Sequence, residues 1–238
     1  MNTTTRRIKL WDLPTRIFHW LLVLLIVAAI VTGKIGGYEL MIWHGRIGLA
    51  ILGLIAFRII WGLAGSTYAR FINFVPAPRI IVAYVKGEWR GVGHNPLGAF
   101  SVIAMLLLIA LQVATGLFSN HDSVFQGGLF SLINVELSNE LTDIHHNIFN
   151  ALLAMIVLHL GAIVFYTQVR KDDLVRPMIT GWKDIPPNSG SYESAKGGGF
   201  LALVIALAVA GGAVYAGSGK WIPEPAAHHQ ETQTKFQW

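Results

Sequence analysis

One long apolar stretch, residues 143–166, most constrains what this chain can become. It is long and apolar enough to cross a bilayer as one helix, yet it carries His145, His146 and His159. Because a helix turns by about 100° per residue, the 14-residue step from His145 to His159 amounts to four turns less about 40°. These two imidazoles therefore share one face, about 21 Å apart along the axis, while His146 points to a nearly opposite side.

The composition places the whole chain in a membrane. Of its 238 residues, 53% are hydrophobic and only 13% are charged, and the mean hydropathy is +0.53, which is too apolar for a soluble domain of this length. The chain contains no cysteine. Structural disulfides, thiolate-ligated iron–sulfur clusters and covalently attached haem are therefore excluded.

The hydropathy pattern predicts an all-α integral membrane fold with five spans. A sixth apolar segment, 67–90, contains too many charges to cross the bilayer, and an interfacial helix near Ile80–Trp89 is predicted within it. The five spans are predicted at Ile17–Val31, Trp43–Trp61, Pro96–Phe118, Asp143–Tyr166 and Gly199–Ala216.

The distribution of basic residues predicts the orientation. With the N-terminus in the cytoplasm, 14 of the 18 Lys and Arg residues fall on the inside, and the outside loop 119–142 contains none. The positive-inside rule therefore predicts an N-in/C-out topology. The basic residues left outside are Lys34, Arg46, Lys220 and Lys235.

This topology sorts four intramembrane histidines into two pairs of equal depth. His19 and His159 fall in the inner half, and His44 and His145 fall in the outer half. Paired imidazoles on facing helices suit the axial positions of haem b, and two such ligands favour electron transfer over oxygen chemistry because no coordination position stays open. We expect Gly45 and Gly48 beside His44, and Gly161 beside His159, to let a flat macrocycle approach.

Other readings of these polar residues stay open. An intramembrane histidine also serves as a helix–helix hydrogen bond or a proton relay. Arg16 and Arg46 are candidate partners of haem propionates, and interfacial snorkelling is the competing interpretation. The remaining histidines are expected outside the ligand set, with His94 capping the third span, His146 off the ligand face, His121 in an outer loop, and His228 and His229 in a polar tail.

Four short motifs of the chain each contain histidine. They are R-I-F-H-W (16–20), W-H-G-R-I-G (43–48), G-H-N-P-L-G-A (93–99) and H-H-N with a later L-H (145–147 and 158–159). Together these motifs resemble the bacterial cytochrome b561 and hydrogenase b-type cytochrome family over residues 8–185. The resemblance implies a four-helix core with two b haems, ligated by His19 with His159 and by His44 with His145. The chain departs from that core by adding the fifth span and the tail from Lys220 to Trp238, which suits either partner docking or disorder.

The function that this resemblance implies is electron exchange between membrane quinone and a periplasmic redox partner, either a hydrogenase, a dehydrogenase or a cytochrome c. The chain is then an electron-transfer subunit in the bacterial cytoplasmic (inner) membrane rather than a free-standing enzyme. The inner ends of the first and fourth spans, with Arg16 and Tyr166, suggest a quinone site. A homodimer is left open, and no nucleic-acid partner is expected.

Two other classes compete with electron transfer. A proton channel or transporter built on intramembrane histidine usually places Asp or Glu inside its bundle, and no predicted span interior contains one. A metal-dependent membrane hydrolase would require a motif such as H-E-x-x-H, which His145-His146-Asn147 does not provide. The predicted division of the chain is a dihaem four-helix domain at 1–185, followed by a linker, the fifth span and an outside tail at 186–238.

Overall fold

The computed structural model describes residues 6–89, 91–121, 125–185 and 192–223. Within these ranges the chain forms eight α-helices and four short strands. The distal tail with Pro225, His228, His229 and Trp238 lies outside the described residues. The elements are β1 (Arg6–Lys9), α1 (Leu13–Ile35), α2 (Tyr38–Ala64), α3 (Phe71–Phe74), α4 (Pro78–Val85), α5 (Pro96–Phe118), β2 (Asn120–His121), β3 (Phe125–Gln126), α6 (Val135–Gln168), α7 (Val175–Thr180), β4 (Trp182–Ile185) and α8 (Phe200–Gly217).

Five of these helices, α1, α2, α5, α6 and α8, are long and apolar enough to cross a membrane. This finding confirms the predicted number of spans, and α5 has the predicted bounds. Helix α1 begins earlier than predicted because the Asp12 side chain accepts a hydrogen bond from the Thr15 amide and caps the helix. Helix α6 begins eight residues earlier, at Val135, where Asn134 caps it in the same way.

Helix α2 is the centre of the bundle. It packs against α1, α5 and α8, and α6 packs against α5. Small residues allow the close approach of α8, since a Cβ added at Gly53 would lie 2.8 Å from the Val214 side chain, and Ala206 is fully buried. These helices thus form two antiparallel hairpins, α1–α2 and α5–α6, with α8 packed against α2. The four paired histidines lie on α1, α2 and α6.

Strand β1 and two connections meet at one end of the bundle, which we call the basic end. Strand β1 pairs antiparallel with β4, with Arg6 opposite Ile185 and Lys9 opposite Trp182. The Ser66 backbone forms a bridge with Gly197. Segments 6–12, 65–95 and 169–199, as far as they are described, therefore lie together.

The connection between α2 and α5 contains two short helices where one was predicted. Helix α3 ends before Pro76, and α4 begins at Pro78 and ends at Val85. The predicted end at Trp89 was too late because Gly87 adopts a positive φ of 73°, a conformation that a helix does not contain. Arg90 lies outside the described residues.

The opposite end, which we call the far end, carries the β2–β3 hairpin and a 3-10 turn at Phe130–Leu132. The hairpin folds over the bundle, since a Cβ added at Gly45 would lie 2.6 Å from the Phe125 ring. The turn that follows lies against the end of α8, where Gly128 contacts Gly219. The β2–β3 hairpin, the turn that follows it and the end of α8 therefore close the far end.

Candidate functional site

His44 of α2 and His145 of α6 face each other at the far end. Their ring centroids are 6.2 Å apart and the ring planes are inclined at 81°. Two metal–imidazole bonds of about 2 Å on opposite sides of one metal atom would place the centroids about 6 Å apart. The spacing therefore matches two axial ligands of one iron atom.

Both rings are held by the same type of anchor. The Nδ1 atom of His44 donates to the Ala29 carbonyl at 2.9 Å, and the Nδ1 atom of His145 donates to the Gln112 carbonyl at 2.9 Å. Threonine hydroxyls lie next to the same Nδ1 atoms, Thr32 at 3.4 Å and Thr115 at 3.2 Å. With Nδ1 used in this way, Nε2 is the nitrogen left for a metal, as in most histidine–metal sites.

Two glycines make room for these rings. A Cβ at Gly33 would lie 2.9 Å from Cε1 of His44, and one at Gly116 would lie 3.0 Å from Cε1 of His145. The glycines that the sequence predicts beside the macrocycle are different: Gly45 and Gly48 line the far-end cavity, and a Cβ at Gly48 or Gly161 would meet no protein atom within 4 Å. The signal that was overlooked is the Thr-Gly pair that occurs near the C-terminal ends of both α1 and α5.

A large cavity surrounds the far-end pair. Its volume is about 770 Å³, within the range of about 300–1,000 Å³ typical of cofactor pockets. Both histidines line it, together with the cationic side chains of Lys34 and Arg46. Lys34 of α1 reaches over the Phe149 ring of α6 at 4.5 Å, and Arg46 lies 5.0 Å from the Trp43 ring.

His19 and His159 are the corresponding pair at the basic end. They lie close enough for their charged forms to repel each other. The Nδ1 atom of His19 is buried and has no hydrogen-bond partner among the described residues. Within the described part of the chain, His19 therefore lacks the carbonyl anchor that the structure gives to His44 and His145.

A buried polar cluster lies beside this second pair. The Asp12 carboxylate, which caps α1, also accepts a hydrogen bond from Nε1 of Trp61 at 3.0 Å. Arg58 is buried nearby, with its guanidinium 4.7 Å from the Phe71 ring and one Nη1 atom without a partner in the described part of the chain. Hydropathy does not predict this cluster, because Trp61 and Arg58 lie near the boundary of a predicted span.

His94 is not the cap of α5, contrary to the prediction. Asn95 caps the helix by accepting from the Gly98 amide at 2.7 Å. The His94 ring instead lies 4.8 Å from the rings of both Trp11 and Phe74. Burial lowers the pKa of His94 to about 4, and the charges of Arg58 and His159 add to this effect.

The other predicted polar residues lie in different surroundings. Arg16 donates from Nη1 to the Ile179 carbonyl and lies against Gly181. His146 is exposed and lines the far-end cavity, with its ring 6.3 Å from that of His145. His121 is exposed in strand β2 and also borders that cavity.

The residues of both pairs are compatible with haem b. The far-end rings have the spacing, the anchored Nδ1 atoms and the adjoining cavity that an axially ligated macrocycle requires. At the basic end, the unpartnered Nδ1 of His19 leaves an imidazole with no structural hydrogen bond that would explain its burial. Each pair comes from two helices, as in other helical-bundle cofactor sites.

Comparison with known proteins supports this assignment. A probable Ni/Fe-hydrogenase 1 B-type cytochrome subunit of Escherichia coli K12 is 26% identical over 148 residues, covering 47% of this chain and 60% of that protein. Probable Ni/Fe-hydrogenase B-type cytochrome subunits of Azotobacter chroococcum and Bradyrhizobium diazoefficiens are each 24% identical, covering 74% and 73% of this chain and 88% and 85% of theirs. The chain thus spans about 60% of the length of the Escherichia coli relative, and no solved structure matches it.

The family comparison covers most of the chain. The sequence model of the prokaryotic cytochromes b561 matches residues 10–181, a range that holds α1, α2, α5, α6 and all four paired histidines. Because the match includes both hairpins, the protein belongs to the prokaryotic cytochrome b561 family.

Proposed function

We propose that this multi-pass membrane cytochrome b transfers electrons through two haem b groups, between membrane quinone and a redox protein on the periplasmic side. The observation that carries the proposal is the His44–His145 pair, with its 6.2 Å spacing and two anchored Nδ1 atoms. A helix–helix hydrogen bond alone does not account for two parallel anchors facing a large cavity.

In this proposal His44 and His145 hold one haem at the far end, and His19 and His159 hold the other at the basic end. Haem b supplies one-electron exchange between ferric and ferrous iron when it is bound. The four imidazoles would hold the two groups and leave no place on either iron for oxygen or water. The step of 14 residues along α6 sets the two levels about 21 Å apart.

In this proposal, cationic side chains neutralise the charge of the haem propionates. Arg46 lines the far-end cavity directly and is the proposed partner there. Arg16 is proposed for the basic end, where its buried Nε has no partner among the described atoms although its Nη1 already donates to a carbonyl. Charge-assisted hydrogen bonds of this type orient a carboxylate within a cavity.

The proposed orientation places the basic end in the cytoplasm and the far end in the periplasm. Its support is the charge distribution, since the segments predicted to lie inside hold 14 of the 18 basic residues. The far-end haem then lies nearest to a periplasmic partner, which we propose to be a hydrogenase-type protein, as the names of the relatives suggest. Residues 1–185 form the proposed dihaem unit, and α8 supports it from the α2 side.

A quinone site is proposed at the basic end, in a cavity of about 230 Å³. Tyr68, Asn73, Phe74, Trp89 and His94 line this cavity, so aromatic faces and polar groups are both available to a quinone ring. The buried Nδ1 of His94 has no hydrogen-bond partner in the described chain. His94 also interacts electrostatically with His159, which brings the cavity next to the proposed basic-end haem.

The experiment that tests the proposed function is optical and chemical. Purified protein should show a b-type α-band in its reduced-minus-oxidised spectrum and contain two haem groups per chain. Reduction by a quinol should slow in His94→Asn, whereas Glu136→Gln, an exposed far-end control outside the cavity lining, should leave the rate unchanged. A protein without the α-band that conducts protons in liposomes would instead support the channel alternative.

A further inference from the structure

The hydrogen bonds at His44 and His145 follow the same arrangement of a carbonyl, a threonine and a glycine. In each case the carbonyl that accepts from Nδ1 lies three residues before the threonine beside the same atom, as Ala29 precedes Thr32 and Gln112 precedes Thr115. A glycine that contacts the ring follows each threonine. Helices α1 and α5 therefore present the same carbonyl–threonine–glycine surface, each to the histidine of a different helix.

The threonine hydroxyls act as acceptors toward the rings. The Thr32 hydroxyl donates to the Ala28 carbonyl at 2.8 Å, and the Thr115 hydroxyl donates to the Leu111 carbonyl at 2.9 Å. With the hydroxyl proton used in this way, each oxygen offers its lone pairs to the Nδ1–H group. The N–H group is then shared between a carbonyl and a hydroxyl oxygen.

A hydrogen bond donated by the Nδ1–H group changes the electronic effect of the imidazole on a metal bound at Nε2. Acceptors that pull on the Nδ1 proton increase the electron density at Nε2 and the basicity of the ligand. A more basic ligand favours ferric over ferrous iron, so the reduction potential falls. At the basic end the Nδ1 atom of His19 has no such partner among the described residues.

We propose that Thr32 and Thr115 are positioning residues that lower the reduction potential of the far-end haem. The proposal rests on the proposed ligation of that haem by His44 and His145. Since each threonine acts through a different ligand of the same iron, their effects should add. Neither residue touches the basic-end pair in the described hydrogen-bond network, so the potential of the other haem should not move.

The test uses Thr32→Val and Thr115→Val, which keep the side-chain volume and remove the acceptor oxygen. Each should raise the ratio of reduced to oxidised far-end haem at a fixed potential about threefold, or about 28 mV at about 59 mV per tenfold change. Thr32→Ser and Thr115→Ser keep the oxygen and should restore the original midpoint. Thr167→Val is the matched control, because it removes a buried hydroxyl of α6 that has no hydrogen-bond partner among the described residues.

Redox titration followed optically, together with haem content, separates the outcomes. Two haem groups with an unshifted far-end midpoint in both valine variants would overturn the role of the threonines and leave the proposed function standing. Loss of haem from the valine and serine variants alike would also overturn it, since that result indicates packing alone. Fewer than two haem groups in the unaltered protein would contradict the proposed function itself.

Discussion

The imidazole rings of His44 and His145 stand nearly perpendicular to each other, with an interplanar angle of 81° and a centroid separation of 6.2 Å. The angle follows from the anchors, because the two Nδ1 atoms donate to carbonyls on two different helices, α1 and α5. Each ring plane is thus fixed by its own hairpin, independently of the other.

This angle predicts the magnetic signature of the far-end haem. Perpendicular axial imidazoles leave two iron d orbitals close in energy, so the ferric low-spin signal should be strongly anisotropic in electron paramagnetic resonance. A spectrum that shows only the rhombic signal of parallel imidazoles would contradict the proposed ligand geometry. The measurement requires only the oxidised, purified protein.

The close contacts of Gly33 and Gly116 predict a steric effect. Gly33→Ala or Gly116→Ala would place a methyl group 2.9 or 3.0 Å from a ring carbon of the adjacent histidine, which forces the ring to move. We expect each variant to lose far-end haem, measured as the haem-to-protein ratio. Gly211→Ala in α8 is the control, since a Cβ there meets nothing within 4 Å, and equal haem loss in all three variants would argue against a local cause.

The capping residue Asp12 is predicted to stabilise the basic end. Asp12→Ala removes both the cap at the Thr15 amide and the hydrogen bond from Trp61, so the free energy of unfolding should fall by about 1–2 kcal/mol from the cap alone. Asp12→Asn keeps one acceptor oxygen for the Thr15 amide but replaces the oxygen that accepts from Trp61 with a donating amide group, so it should recover the contribution of the cap alone. Thermal unfolding in detergent measures the effect, and identical melting temperatures for both variants would contradict this role.

His94 is predicted to make stability depend on pH in a defined window. Its folded-state pKa of about 4 lies below the ordinary value of 6.5, so the unfolded chain binds a proton at higher pH than the folded one does. Above pH 6.5 the free energy of unfolding therefore does not depend on this group. It falls as the pH drops from 6.5 toward 4, because protonation of His94 favours the unfolded chain. The melting temperature of His94→Asn should change less across this window than that of the unaltered protein, and parallel curves would contradict the prediction.

Hydropathy and charge predicted the spans well because apolar length alone determines whether a helix crosses a bilayer. The extension of α6 could not be found in this way. Residues 135–142 are largely polar, and their helix depends on tertiary contacts, such as the fully buried Ser138, whose hydroxyl donates to the Phe118 carbonyl at 2.7 Å. The end of α4 was missed for a local reason, the positive φ of Gly87.

The histidine pairs were predicted from depth and helical phase, and the structure places His44 opposite His145 and His19 near His159. Their anchors were not predicted. Thr32 and Thr115 look like ordinary helix residues in sequence, because their contact with a histidine depends on which helix packs opposite them. The same limit applies to Asp12 and Trp61, which are 49 residues apart and meet only in the folded bundle.

The central claim is that two pairs of histidines each hold one haem, and single substitution of the four histidines tests it most directly. After His44→Ala or His145→Ala, the account predicts one remaining haem with the optical midpoint of the basic-end site. After His19→Ala or His159→Ala, the remaining haem should have the far-end midpoint instead. Full haem content in His145→Ala together with loss of haem in His146→Ala would contradict the account.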